Sequence, residues 1–222
     1  MKRTILVSLA TSMFLIGITS VVSAGQLTSR DQLNSLLGTN LIYEDFENFS
    51  VSYGDQYSHY GPLNSTTIFA EQGPGLVQEG VTYQSDGGLG RLWWNGDGYY
   101  DLNSKTLADS SEWRGYGIEI LYTLPVNAIG FDMQNYVGYG MEGTVSVYDI
   151  AGGLISTTNV NGGFWGWENI AGGGIGSAFI AADDGDYIMI DNHGYGSAII
   201  VPEPAMVSLL AVGGLALLGK RK

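Results

Sequence analysis

From Leu41 onward the chain alternates apolar and polar positions in short bursts separated by glycine-rich links. The segments Leu41–Glu47, Thr66–Phe69, Val81–Gln84, Gly117–Thr123 and Val126–Met133 each read as a strand. So do Thr144–Ile150, Leu154–Val160, Ile175–Ala181, Asp186–Asp191 and Ser197–Val201. Period two puts Ile129, Phe131 and Met133 on one face of their strand, and Val145 with Val147 on one face of theirs. Ala151-Gly152-Gly153 has the composition of a tight hairpin turn. A helical period occurs once: Ser29-Arg30-Asp31-Gln32 is a capping box, Leu33, Leu36 and Leu37 form the apolar stripe, and Gly38 ends it. The pattern predicts an all-β domain, a single β-sandwich or jelly roll, with one short N-terminal helix covering an open end of its core. Neither a second domain nor a fixed repeat is visible.

Two apolar runs break the alternation, one near each end. Lys2 and Arg3, the run Ile5 to Ile18, and Val22-Ser23-Ala24 have the order of a secretory signal peptide over residues 1–24, with cleavage expected after Ala24. An uncleaved anchor is the alternative, and the small residues Ser23 and Ala24 argue against it. The second run, Ala205 to Gly219, has no charged residue and is followed by Lys220-Arg221-Lys222. It is short against the roughly 20 residues of a membrane span. The stiff segment Val201-Pro202-Glu203-Pro204 precedes it, because proline fixes its own φ and restricts its neighbour.

Tetrad, short hydrophobic helix and basic end, in that order over residues 201–222, resemble the PEP-CTERM sorting signal of Gram-negative bacteria. The resemblance implies the following route. The chain is exported through the Sec pathway and held in the inner membrane by its C-terminal helix. A membrane-embedded exosortase then recognises and cleaves it, in systems linked to exopolysaccharide and biofilm matrix. The product would be a cell-surface or extracellular protein, with residues 25–200 as its ectodomain.

Charge sharpens this picture. Between Gly25 and Val201 there are 21 acidic residues and 4 basic ones (Arg30, Arg91, Lys105 and Arg114), a net of −17. Such a surface excludes nucleic acid as a partner, since phosphate binding needs a cationic footprint. The acids serve solubility, or they bind cations. The chain has no cysteine, so disulfides, thiol catalysis and cysteine metal sites are excluded.

A second likeness lies within the ectodomain. A helix is followed by the acidic strand Tyr43-Glu44-Asp45-Phe46-Glu47, then by Ala128-Ile129-Gly130-Phe131-Asp132-Met133 and Val147-Tyr148-Asp149-Ile150-Ala151-Gly152-Gly153. Ile190-Asp191-Asn192-His193-Gly194-Tyr195-Gly196 comes near the end. This order is similar to the β-sandwich ectodomains attached to the same tail, themselves similar to galactose-binding-like and carbohydrate-binding jelly rolls. In jelly rolls of that type a structural calcium ties the first strand to the last. The resemblance therefore implies a calcium site from Asp45, Glu47, Asp191 and Asn192, oxygen donors of the kind calcium takes. The alternative is a solvated acidic face.

Polysaccharide is the partner that the aromatic residues suggest. Trp93, Trp94, Trp165 and Trp167 are candidate sugar-stacking rings, and Tyr99, Tyr100 and Trp113 lie in similar glycine-rich surroundings. Trp165 and Trp167 alternate and share a face, whereas Trp93 and Trp94 point oppositely. The alternative is that these rings fill the core. Asn95–Asp101 lacks the closing Glu of an EF-hand and reads as a turn, and Asp183–Asp186 has the same composition. No P-loop, nucleophile elbow or HExxH occurs, and His59 and His193 each read as a surface histidine in a loop. The sequence thus predicts a non-enzymatic binding protein, with a secreted carbohydrate-active hydrolase on the same fold as the alternative.

Overall fold

The computed structural model describes residues 24–85, 90–99, 102–109, 117–134, 142–170, 173–182 and 188–198. Strand β1 (Ala24–Leu27) is followed by helix α1 (Arg30–Leu37), a 3-10 turn (Gly38–Asn40) and β2 (Ile42–Glu44). Then come β3 (Gln56–Tyr60), β4 (Leu63–Asn64), β5 (Val81–Ser85), β6 (Arg91–Asn95), β7 (Thr106–Asp109) and β8 (Ile118–Val126). The chain continues through β9 (Ala128–Gln134), β10 (Gly143–Tyr148), β11 (Leu154–Val160), β12 (Gly163–Asn169), β13 (Ile175–Ala182) and β14 (Met189–Gly196). One sheet has the order β1-β12-β9-β14-β7-β6-β3, with β2 also on β14, and the other has the order β11-β10-β13-β8-β5-β4. The two antiparallel sheets form the sandwich that the alternation predicts. Ile129, Phe131 and Met133 of β9 enter its core, as do Val145 and Val147 of β10.

Helix α1 forms where the capping box places it. Ser29 Oγ accepts from Gln32 N at 3.3 Å, and Gln32 Oε1 accepts the Thr28 N–H at 2.7 Å. Its position differs from the expectation. It lies on the outer face of the eight-stranded sheet, where Leu33 and Leu37 form a separate cluster with Leu27 and Ala128. The reason is a row of glycines across three strands: Gly166 stands opposite Gly130, and Gly130 opposite Gly194. A Cβ on Gly130 or Gly194 would come within 3.0 Å of Leu33 Cδ2. The bare backbone lets the leucines sit directly on the sheet.

Three further differences follow from turn chemistry and register. Thr66–Phe69 is not a strand, because Asn64 Oδ1 accepts both the backbone N–H and the hydroxyl of Thr66 and bends the chain. The late strand expected at Asp186–Asp191 is described from Met189 and runs on to Gly196 as β14, with a register shift between Asp191 and Gly194. Ser197 and Ala198 of the strand expected at Ser197–Val201 are not in a strand, and residues 199–201 lie outside the described residues. Strands β1, β3, β6 and β7 carry too little alternation to be recognised.

Residues Ser23–Ala198 form one compact unit. Its chain entry and exit lie at the same pole. Ala24 pairs with Asn169, Asn169 N donates to Asn127 O at 2.7 Å, and Asn127 N donates to Gly196 O at 2.8 Å. The signal peptide, the sorting residues Val201, Pro202, Glu203, Pro204, Lys220, Arg221 and Lys222, and also Tyr100, Trp113 and Asp183–Asp186, lie outside the described residues. Among the described residues no helix is long and apolar enough to cross a membrane.

Candidate functional site

On the outer face of the eight-stranded sheet, beyond the glycine row, β9 and β14 place Asp132 directly opposite Asp191. Like charges in that position repel, and the neighbouring groups hold them there. Arg30 Nη2 lies 2.9 Å from Asp132 Oδ1, a close ion pair not aligned as a hydrogen bond. Asn192 Nδ2 donates to Asp132 Oδ2 at 2.9 Å. Asp191 is only 1% exposed. Its carboxylate accepts from Ser104 Oγ at 2.6 Å, Gln134 Nε2 at 3.2 Å, Asn192 Nδ2 at 3.2 Å and the Asn192 backbone N–H at 2.6 Å. Burial pushes the Asp191 pKa up to about 6, with the Asp132 and Glu47 charges adding to it and its hydrogen bonds opposing.

The β14 bulge sets the geometry. Asn192 adopts φ 52°, a left-handed conformation that asparagine tolerates better than most residues. Its amide spans the site: Nδ2 reaches both carboxylates, and Oδ1 accepts the hydroxyl of Tyr43 from β2. The Tyr43 ring is 39% exposed, with the Arg30 guanidinium 5.7 Å from its centroid. Arg30 also lies over Phe164, 5.2 Å from that ring. Burial raises the Tyr43 hydroxyl pKa, which keeps the group a neutral donor.

The result is a partly exposed patch of Tyr43, Asn192, Asp132, Gln134 and Ser104, with the α1 cluster and the cluster of Trp93, Leu102, Ala108 and Met189 on the same face of the sheet. An exposed flat ring beside fixed donors and acceptors suits a hydroxyl-rich ligand. The two carboxylates do not suit acid–base chemistry in this state, because four donors already occupy Asp191.

The expected tryptophan platform is corrected by burial. Trp94 and Trp165 are each 1% exposed within the core. Trp94 donates to Phe46 O at 2.9 Å, and Trp165 stacks on Phe131 at 5.2 Å between centroids. Trp167 shares the inward face of Trp165 and is half-buried against the core, and Trp93 is 8% exposed in the outer apolar cluster. These rings fill space.

The expected calcium quartet is brought only partly together. The first and last strands of the expectation do pair, with Glu44 opposite His193. Yet Asp45 Oδ1 accepts from Glu47 N at 3.1 Å, and Glu47 takes Lys105 N and Nζ, each at 3.0 Å. Asp191 and Asn192 are bound into the network above. Among the described residues no group of three or more His, Asp or Glu is placed to hold a metal ion. The donor set is used internally and does not fit a bound calcium.

His193 is not at the surface. It is fully buried between Tyr83 Oη, 2.6 Å from Nδ1, and Tyr122 Oη, 3.0 Å from Nε2. A neutral imidazole donates to one tyrosine and accepts from the other, so it ties the two sheets together across the core. His59 is half-buried, with Nε2 3.2 Å from Pro62 O. Tyr43, Asp132, Gln134 and Ser104 are the site residues that sequence reasoning missed. The polar position of Asp132, on the face of β9 opposite Ile129, Phe131 and Met133, was the one local signal.

No family model matches this chain, and no curated protein matches it. Among the solved structures to which it is similar in part, three are described. The first is the CBM22-1–GH10 modules of endo-1,4-beta-D-xylanase 10B from Clostridium thermocellum, complexed with xylohexaose. There the identity is 12% and the TM-score 0.36, over 70% of this chain and 28% of that one. The second is the CBM22-1 xylan-binding domain of Xyn10C from Paenibacillus barcinonensis, at 12% identity and TM-score 0.32, over 68% of this chain and 100% of that one. The third is CtCBM11, at 11% identity and TM-score 0.29, over 72% of this chain and 96% of that one.

Proposed function

We propose that this chain is an exported, non-catalytic β-sandwich that binds polysaccharide on the outer face of its eight-stranded sheet. One observation carries the reading: the exposed Tyr43 ring is fixed by its hydroxyl to Asn192, which is itself fixed to Asp132 and Asp191. The ring offers a stacking face. The half-buried polar groups around it offer hydroxyl contacts whose orientation is set before the ligand arrives, which lowers the ordering cost of binding. A net charge of −17 between Gly25 and Val201 favours neutral or basic glycans over acidic ones.

The tail places this binder. Residues 201–222 act as a sorting signal of the PEP-CTERM type. They hold the precursor at the inner membrane and present Val201-Pro202-Glu203-Pro204 to an exosortase. The released domain works at the cell surface or in the extracellular matrix.

Affinity electrophoresis against a panel of neutral polysaccharides, xylan and β-glucans included, tests the binding. Tyr43→Ala and Asn192→Ala should each weaken retardation about tenfold or more, the equivalent of one well-formed contact of about 1.4 kcal/mol. Tyr60→Ala, outside the patch, should behave as wild type. Absence of retardation on every polysaccharide refutes the binding role. Mass spectrometry of the surface-released protein tests the sorting role, and a mature form still carrying Lys220-Arg221-Lys222 refutes it.

A further inference from the structure

The pole at which the chain enters and leaves the sandwich carries aliphatic side chains that nothing in the fold uses. Leu124 is 74% exposed, Ile150 65% and Leu154 60%. Leu124 lies in β8, Ile150 in the turn between β10 and β11, and Leu154 opens β11; the start of β13 and the residue before it bring them together. A Cβ on Gly176 would lie 2.8 Å from Ile150 Cα, and one on Gly174 would lie 2.7 Å from Pro125 Cβ. Leu154 is next in the ladder, since Tyr148 pairs with both Leu154 and Ser177. Gly174 O in turn accepts from Asn169 Nδ2 at 3.2 Å, and Asn169 is the partner of Ala24. The aliphatic group and the two chain exits therefore share one end of the domain.

We infer that this pole is a lipid-facing surface, by which the anchored precursor sits against the bilayer through Leu124, Ile150 and Leu154. The inference rests on the membrane anchoring proposed above. Seven residue steps separate Ala198 from the apolar run that starts at Ala205, at most about 25 Å of extended chain. A domain of this length has a radius of gyration of about 16 Å, so that tether cannot reach round to the opposite pole. Whichever terminal segment holds the precursor, the pole beside Ala24 and Ala198 faces the membrane. Three exposed aliphatic side chains there meet hydrocarbon instead of water, a favourable transfer. Asp149 and Glu168 near the same pole oppose an anionic headgroup, so the fit is to a zwitterionic surface.

The absence of cysteine makes the test clean, because each introduced thiol is unique. The full-length chain, with Leu124→Cys, Ile150→Cys, Leu154→Cys or Tyr60→Cys labelled with an environment-sensitive fluorophore, is reconstituted into phosphatidylcholine vesicles. The vesicles contain a shallow nitroxide lipid. Tyr60 is the distal control. It pairs with Arg91, Leu92 pairs with Asp109, and Asp109 N bonds Ile188 O at the far end of β14. Labels at 124, 150 and 154 should shift to the blue and lose about half of their emission or more, as expected for groups within about 5–10 Å of the headgroup boundary. The label at 60 should be unaffected. A chain that floats with the vesicles while all four labels stay in water overturns the docking and leaves the anchoring intact. Equal quenching of all four labels means adsorption without orientation and also overturns it. A chain that does not float overturns the anchoring, and the docking falls with it.

Discussion

Glu44 is one of three buried groups that make the stability of this sandwich depend on pH. It is fully buried, and its carboxylate accepts from Phe46 N at 2.7 Å and Gln78 N at 2.6 Å. Burial nevertheless pushes its pKa from 4.5 up to about 7. Between pH 4.5 and 7 the folded chain holds a proton that the unfolded chain has released. The stabilisation is therefore complete below pH 4.5 and is lost as pH rises to 7. Asp191 behaves alike between pH 3.8 and about 6. His193 has the opposite sign. Burial lowers its pKa from 6.5 to about 3, with the Arg30 charge adding, so its contribution is complete above pH 6.5 and is lost as pH falls.

From pH 4.5 to 6 these three groups leave the folded state holding one proton more, and stability falls by about 1.4 kcal/mol per pH unit, or about 2 kcal/mol over the window. Glu44→Gln removes one of the two falling contributions, so the remaining pair cancels. The amide also offers one acceptor to two backbone donors, which costs about 1–3 kcal/mol at pH 4.5. Urea denaturation followed by tryptophan fluorescence at half-unit steps from pH 4.5 to 6 reads both quantities. The difference between wild type and variant should shrink by about 2 kcal/mol across the series. Parallel profiles would show that Glu44 does not titrate in this window and would refute the argument.

Among the described residues, the indole N–H of Trp165 meets no acceptor in its buried position. Trp165→Phe should therefore change stability by no more than about 1 kcal/mol, whereas Trp165→Ala should cost about 3–5 kcal/mol; denaturant titration separates the two. At the bulge, Asn192→Gly keeps the left-handed backbone that Asn192→Val cannot, and the valine variant should be the less stable by about 1–3 kcal/mol in the same assay. Calorimetric melting in EGTA should match that in calcium, because Asp45, Glu47, Asp191 and Asn192 each accept from internal donors and are not gathered around one point. A rise in Tm with calcium would contradict this reading.

Much of the architecture was written in period two. Residues such as Val145, Val147, Ile129 and Phe131 alternate because one side of each strand faces the core, and that alternation is local. The site was not legible for the converse reason. Tyr43, Asp132, Asn192 and Ser104 are scattered along the chain and meet only through the register of β2, β9 and β14, which no local pattern encodes. His193 misled because glycine and tyrosine neighbours resemble a loop. Here the glycines Gly194 and Gly196 serve a strand under close backbone contact, with a Cβ on Gly196 falling 2.3 Å from Asn40 O. Trp165 and Trp167 were correctly placed on one face, but alternation alone does not say which face points inward.

The row of Gly166, Gly130 and Gly194 beneath α1 bears on cooperativity. Glycine in a strand interior is destabilising by about 0.5–1 kcal/mol relative to alanine, and three in register make the middle of the sheet a soft seam. An eight-residue helix is equally unstable alone. Each deficit is offset only when Leu33 and Leu37 seat on the bare backbone. The helix and the central strands are thereby fused into one folding unit. The amides of α1, although close to the N-terminus and near solvent, should exchange their hydrogens only when β9 and β14 come apart, without the independent fraying expected of so short a helix.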